Sequence, residues 1–123
     1  MMGLLMVFIG GGLGSICRYG LSIYFNASPG EIPIGTLIAN VFSSIILGFL
    51  VAYSIKIEPG TMVKLLLMVG FCGGFSTFST FSKEAYDLLQ LGQQVMALGY
   101  VVGSCLLGIL SIFIGYKMGM RFL

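Results

Sequence analysis

The stretch GGFSTFSTFS, residues 73–82, decides how the whole chain is read. Two adjacent glycines open it, and Phe75, Phe78 and Phe81 then recur every third residue with serines and threonines between them. It lies inside an apolar run from about Met62 to about Leu89, longer than the roughly 20 residues that cross a bilayer as a helix. A glycine pair weakens a helix interior. At membrane depth the backbone groups it frees are tolerated only where protein, water or an ion satisfies them. Two accounts fit: a glycine kink filled by neighbouring packing, or carbonyls from two copies converging on a small, hard cation. Either way the third helix is predicted to be broken at Gly73–Gly74.

Composition makes lipid the main solvent. The chain has 123 residues, 58% hydrophobic and 8% charged, against about 25% charged in a soluble domain. Its formal charge of +2 is too small and scattered for a nucleic-acid footprint. Three further stretches are long enough to span, roughly residues 3–25, 34–55 and 95–118, besides the one at 62–89. The turn-forming NASPGEIP (26–33) and KIEPGT (56–61) separate the first three. No Lys or Arg precedes the first apolar run, so it reads as a span rather than a cleaved signal. The linkers are too short for a soluble domain. The expectation is an all-α, integral membrane four-helix bundle forming one unit over residues 1–123.

Cys17, Cys72 and Cys105 are odd in number and lie in apolar stretches, which predicts packing rather than a disulfide framework. The absence of His removes the commonest metal ligand and any Ser-His nucleophile. No base–nucleophile pair is visible, so the chain does not read as an enzyme. With no Trp, interfacial anchoring falls to Tyr24, Tyr53, Tyr86 and Tyr116 near the span ends. Glycines at four-residue spacing (Gly10/Gly14, Gly99/Gly103, Gly115/Gly119) let helix backbones approach closely. Four thin helices enclose little volume, so a pathway is expected between chains, in an oligomer.

On a helix, successive i+3 positions drift round the axis, so two adjacent Phe share a face and the third swings away. Such rings are either core or, with their positive edges turned inward, a surface that attracts an anion without a charge. Interleaved hydroxyls favour the second. Asn40 lies mid-span, Thr36 one turn earlier on the same face, and Ser43 and Ser44 follow at i+3 and i+4. Tyr100 and Ser104 share a face of the fourth span. Donors without carboxylates suit an anion better than a cation or a proton relay. Arg18, the cation well inside a span, draws anions to a vestibule, or snorkels to an interface and bonds carbonyls. Glu84 is expected in a solvated mouth, holding structure.

Three motifs, in order, carry a resemblance: GGGLGSICRY (10–19), GTLIAN (35–40) and GFCGGFSTFSTFSKE (70–84). Over essentially its full length the chain resembles the Fluc (CrcB-type) fluoride channels. The resemblance implies passive, fluoride-selective efflux across the cell membrane. It implies subunits paired antiparallel, as a homodimer or with a homologous partner, with two pores at their interface. It also implies roles by position: Phe78 and Phe81 as pore aromatics, Asn40 as pore amide, Ser79 and Thr80 as a polar track, and Tyr100 and Ser104 as fourth-helix pore positions. Gly73 and Ser76 would give backbone carbonyls to a structural Na⁺ shared by both subunits. The chain departs from the family pattern at Ser43, where Gly is usual, and at Ile45, near which Phe is usual.

The rival reading is a small four-helix dimeric multidrug exporter, which exchanges protons for a cation at a membrane-embedded carboxylate. No Asp or Glu occurs in the first span, and Glu84 comes late in the third. A third reading, a non-transporting subunit of a larger complex, is separated from both by ion flux. Charge also bears on orientation. Lys56, Lys64, Lys117 and Arg121 fall on the side of both termini and Lys83 on the other. Lys and Arg in short loops stay in the cytoplasm. The four-to-one bias points to both termini inside and a homologue of opposite bias, but it is small, and Lys64 and Lys83 sit close to helix ends, so dual insertion into a homodimer is the favoured expectation.

Overall fold

The computed structural model describes residues 1–25 and 27–123, and among them there are helices and connecting turns but no strand. Helix α1 is Met2–Tyr24 and α2 is Ile34–Lys56. Helix α3, residues 61–75, is built of an α-helical turn at Thr61–Lys64, a π-helix at Leu65–Cys72 and a last α-helical turn at Gly73–Phe75. Ser76 then takes an extended backbone, with φ −80° and ψ 159°. Helix α4 is Ser79–Gln90 and α5 is Gln94–Phe122. Met2–Tyr24, Ile34–Lys56, Thr61–Gln90 and Gln94–Phe122 are long and apolar enough to cross a membrane.

Glycine seams hold the helices in two pairs. A Cβ on Gly10 would fall 2.0 Å from the Leu66 carbonyl oxygen, and one on Gly14 would fall 2.2 Å from that of Phe71. Both oxygens belong to the π-helix, whose wider turns push backbone outward. Only a residue without a side chain accepts that approach. The α2–α5 seam follows the same rule, with Gly48 against the Ile112 carbonyl and Gly115 against that of Ile45. Ala39 and Ala52 of α2 are wholly buried.

The packed core sits where α4 meets α5, in a cluster of Phe81, Ala85, Leu88, Ala97 and Tyr100. Large apolar side chains elsewhere face outward, among them Phe8, Ile16, Leu106 and Ile109. That inversion is what a lipid environment permits.

Three expectations change. Gly73 and Gly74, expected to break the third helix, are themselves helical, and the first extended backbone is at Ser76. The fourth span runs past residue 118 to Phe122, because its basic end continues the helix by laying cations over rings. Lys117 Nζ is 5.4 Å from the Phe113 ring centroid, and the Arg121 guanidinium is 5.7 Å from that of Phe122. The glycine pairs also differ in use: Gly10/Gly14 and Gly115/Gly119 meet neighbouring helices, whereas a Cβ on Gly99 or Gly103 would meet nothing within 4 Å.

Candidate functional site

Segment 72–77 is held from two sides by polar side chains of α1 and α2. From α2, the Asn40 Oδ1 accepts the Thr77 backbone N–H at 2.8 Å, and Asn40 Nδ2 donates to the Thr77 carbonyl at 3.3 Å. One amide thus closes both backbone groups of a residue that no helix serves. Ser43 Oγ, buried, donates to the Cys72 carbonyl at 2.9 Å, and Ser76 Oγ donates to the same oxygen at 2.9 Å. From α1, Arg18 Nε donates to the Gly74 carbonyl at 3.1 Å, with Ser15 Oγ at 3.5 Å from it. The in-span guanidinium is therefore fixed by a backbone oxygen, the carbonyl bond expected of it.

Beyond this segment runs a line of rings. Phe78 and Phe81 have centroids 6.0 Å apart, and Phe81 and Tyr100 have centroids 5.1 Å apart, all tilted. Phe75 turns the other way, onto Phe71 at 5.5 Å. The three-residue period predicts such a split on one continuous helix, but here the extended backbone at Ser76 makes it, since no helix runs from Phe75 to Phe78. The rings differ in setting: Phe81 is buried, whereas Phe78 is 79% exposed on the chain's outer face. Ser79 is exposed beside Phe78, and Thr80 is half-buried with its N–H on the Thr77 hydroxyl at 3.2 Å. Ser104 Oγ is buried and makes no hydrogen bond among the described residues.

Glu84 ties the far end together. Thr36 Oγ1 donates to it at 2.5 Å, and the Tyr100 hydroxyl donates at 3.4 Å. Thr36 is thereby committed to a carboxylate rather than open to an anion path. Glu84 and Thr36 line a cavity of about 330 Å³ that extends to Ser22, Glu31 and Asp87. The carboxylate so borders a mouth and also braces α2, α4 and α5.

Several of the residues singled out in the sequence are joined in one chain of contacts: Asn40 holds Thr77 beside Phe78, Phe78 meets Phe81, Phe81 meets Tyr100, and Tyr100 and Thr36 meet Glu84. Ser15 and Thr77 were missed. Ser15 precedes Arg18 by one turn on the same face, and that spacing was its signal. Thr77 meets Asn40 through its backbone, which carries no signal in side-chain chemistry, and its hydroxyl accepts the Thr80 N–H. Among the described residues no cluster of three His, Cys, Asp or Glu is placed to hold a metal ion.

Residues 5–116 match the family described as CrcB-like protein, Camphor Resistance (CrcB). A protein of Phocaeicola vulgatus named fluoride-specific ion channel FluC is 39% identical over 119 residues, 96% of this chain and 98% of its own length. One from Bacillus subtilis named fluoride-specific ion channel FluC 2 is 43% identical over 115 residues, 94% of this chain and 86% of its own length. One from Francisella tularensis, also named fluoride-specific ion channel FluC, is 37% identical over 118 residues, covering 92% and 91%. With four apolar helices able to span and a match over nearly all of its length, this multi-pass membrane protein belongs to the CrcB-like family.

Proposed function

We propose that the chain is a subunit of a fluoride-selective channel that lets fluoride leave the cell passively. The observation that carries this reading is the ring line Phe78–Phe81–Tyr100, which leads away from the Asn40-held segment with the Tyr100 and Thr77 hydroxyls beside it. The printed names of the relatives support it. Neutral donors and positive ring edges bind a dehydrated anion firmly enough to admit it and weakly enough to release it.

The unit is read as one domain that pairs antiparallel with a second copy or a homologue. The third span acts as a helix broken at Ser76, placed at the pairing surface. Phe78, open to 79% on the lone chain, gains its neighbours from that partner. A structural Na⁺ fits the donor set. Among the described residues no hydrogen bond reaches the carbonyls of Gly73 or Ser76, while those of Cys72 and Gly74 are engaged. Two carbonyls from each copy suit a small, hard cation. Bound there, the ion would supply positive charge that joins the subunits.

Proteoliposomes of the chain purified alone, loaded with fluoride and clamped with valinomycin, are expected to release fluoride and retain chloride. Equal chloride efflux would remove the selectivity claim. Silence from the lone chain, with flux restored by a homologous subunit, would establish the paired assembly over the homodimer. Drug-driven proton uptake without fluoride flux would favour the exporter, with Glu84 as its carboxylate.

The two rings separate conduction from packing. Phe78→Ile and Phe81→Ile are each expected to lower fluoride efflux at least about tenfold, the change that 1.4 kcal/mol in a barrier produces. Phe81→Ile should also lower the melting temperature, because that ring is buried in the α4–α5 core. Phe78→Ile should leave the melting temperature of the unpaired subunit unchanged. Normal flux in both variants would make the rings mere packing.

A further inference from the structure

Whether a backbone carbonyl can serve a cation depends on who else uses its lone pairs, of which it has two. The Cys72 carbonyl receives three donors: Ser43 Oγ at 2.9 Å, Ser76 Oγ at 2.9 Å and the Ser76 N–H at 3.0 Å. No acceptor capacity remains there. Gly74 is engaged by Arg18 and Ser15. Between and beyond these two lie the carbonyls of Gly73 and Ser76, which no described residue approaches as a donor.

Of the donors to Cys72, Ser43 alone comes from another helix, and it is 2% exposed. A hydroxyl so placed in a lipid-facing fold bonds only what lies in front of it. Ser76, by contrast, lies in the same segment as the oxygen that it caps and moves with it.

We infer that Ser43 is a positioning residue that saturates the Cys72 carbonyl, withdraws it from the cation and leaves Gly73 and Ser76 as the donors. The inference rests on the cation reading above. Its consequence is selectivity among cations. Removing the Ser43 hydroxyl takes away the one donor that does not belong to the segment itself. The Ser76 hydroxyl can then turn to another rotamer, which leaves the Cys72 oxygen a lone pair to offer in each copy, and more oxygen ligands in a looser cage favour a larger ion.

The test uses the purified assembly, with its melting temperature followed against Na⁺ and K⁺ and N-methylglucamine making up the ionic strength. The unmodified protein is expected to be stabilised by Na⁺ in preference to K⁺. In Ser43→Ala the ratio of half-saturating K⁺ to Na⁺ concentrations should fall about three- to tenfold, the net worth of one hydrogen bond expressed as an equilibrium constant. Ser43→Cys, whose S–H is a weak donor, should restore part of the ratio. A packing role alone would lower the melting temperature in every salt and leave the ratio fixed. An unchanged ratio in Ser43→Ala, with Na⁺ still stabilising the unmodified protein, overturns the role of Ser43 and spares the cation reading. Indifference of the unmodified protein to Na⁺ overturns both.

A second measurement needs no change at Ser43. With Cys17 and Cys105 replaced by Ser, ¹³C-carbonyl cysteine labels Cys72 alone. Its infrared carbonyl band should stay fixed when N-methylglucamine replaces Na⁺. A band that moves with Na⁺ makes the Cys72 carbonyl a ligand and ends the inference.

Discussion

Asn40→Ala is expected to abolish fluoride efflux, with a loss of more than about 100-fold, and to do so from the backbone outward. The Asn40 amide accepts the Thr77 N–H and donates to the Thr77 carbonyl. Alanine leaves both groups without a partner at membrane depth. An unmade bond to a buried backbone group costs about 1–3 kcal/mol, so the pair costs roughly 2–6 kcal/mol. Since about 2.7 kcal/mol in a barrier is 100-fold in rate, all but the lowest part of that range exceeds a 100-fold loss. The loss falls where it matters, because Thr77 immediately precedes the Phe78 ring.

Two companion variants separate the roles of Asn40. Asn40→Asp keeps the acceptor toward the Thr77 N–H but turns oxygen against the Thr77 carbonyl and adds negative charge on an anion path. Asn40→Gln has the same groups on a longer stem, which cannot reach both ends of Thr77 in the same geometry. Both are expected to be inactive in the fluoride-electrode assay, with Asn40→Asp the less stable of the two. Efflux from Asn40→Ala within about threefold of the unmodified protein would show that Thr77 holds its place without the amide.

The reach of these bonds explains what the sequence could and could not convey. Span count followed from apolar length, and the end of the second span followed from the Pro and Gly of KIEPGT. Both are properties of a short window. The Asn40–Thr77 pair joins residues 37 apart and the Thr36–Glu84 pair joins residues 48 apart. Nothing local says which face of α2 will meet α3. Ser43 was visible as a hydroxyl one turn after Asn40 and as a departure from the family pattern, but its partner was not, because that partner is a carbonyl common to every residue type. The π-helix at Leu65–Cys72 was equally hidden: LLLMVGFC is apolar throughout and has no periodicity to lose. Its widened turn is accommodated by Gly10 and Gly14 of another helix. Gly99/Gly103 repeat that spacing without that use, since spacing grants closeness but does not choose the neighbour.

That distinction can be tested by treating two glycines alike. Gly14→Ala is expected to destroy the fold. Its methyl group would lie 2.2 Å from the Phe71 carbonyl oxygen and 2.7 Å from the Phe75 nitrogen. Both atoms are backbone, so no side chain can swing aside. Overpacking a well-filled core costs about 1–3 kcal/mol where side chains can adjust; here α1 must lift away from α3. The Arg18 and Ser15 bonds to Gly74 would go with it. Little folded protein should be recovered in detergent. Gly73→Ala should do the opposite to the lone subunit. Gly73 has a helical backbone, φ −64° and ψ −36°, and a methyl group there would meet nothing within 4 Å. Alanine favours a helix over glycine by about 1 kcal/mol, so the isolated chain has no reason to resist the change. If Gly73 is glycine because a second copy packs against it, Gly73→Ala should keep its helical circular dichroism yet fail to pair, by light scattering and by cross-linking in vesicles. A paired, Na⁺-stabilised and conducting Gly73→Ala would place the subunit contact elsewhere. The same substitution, two residue numbers, thus reports on two different neighbours: for Gly14 the chain itself, for Gly73 whatever lies beyond it.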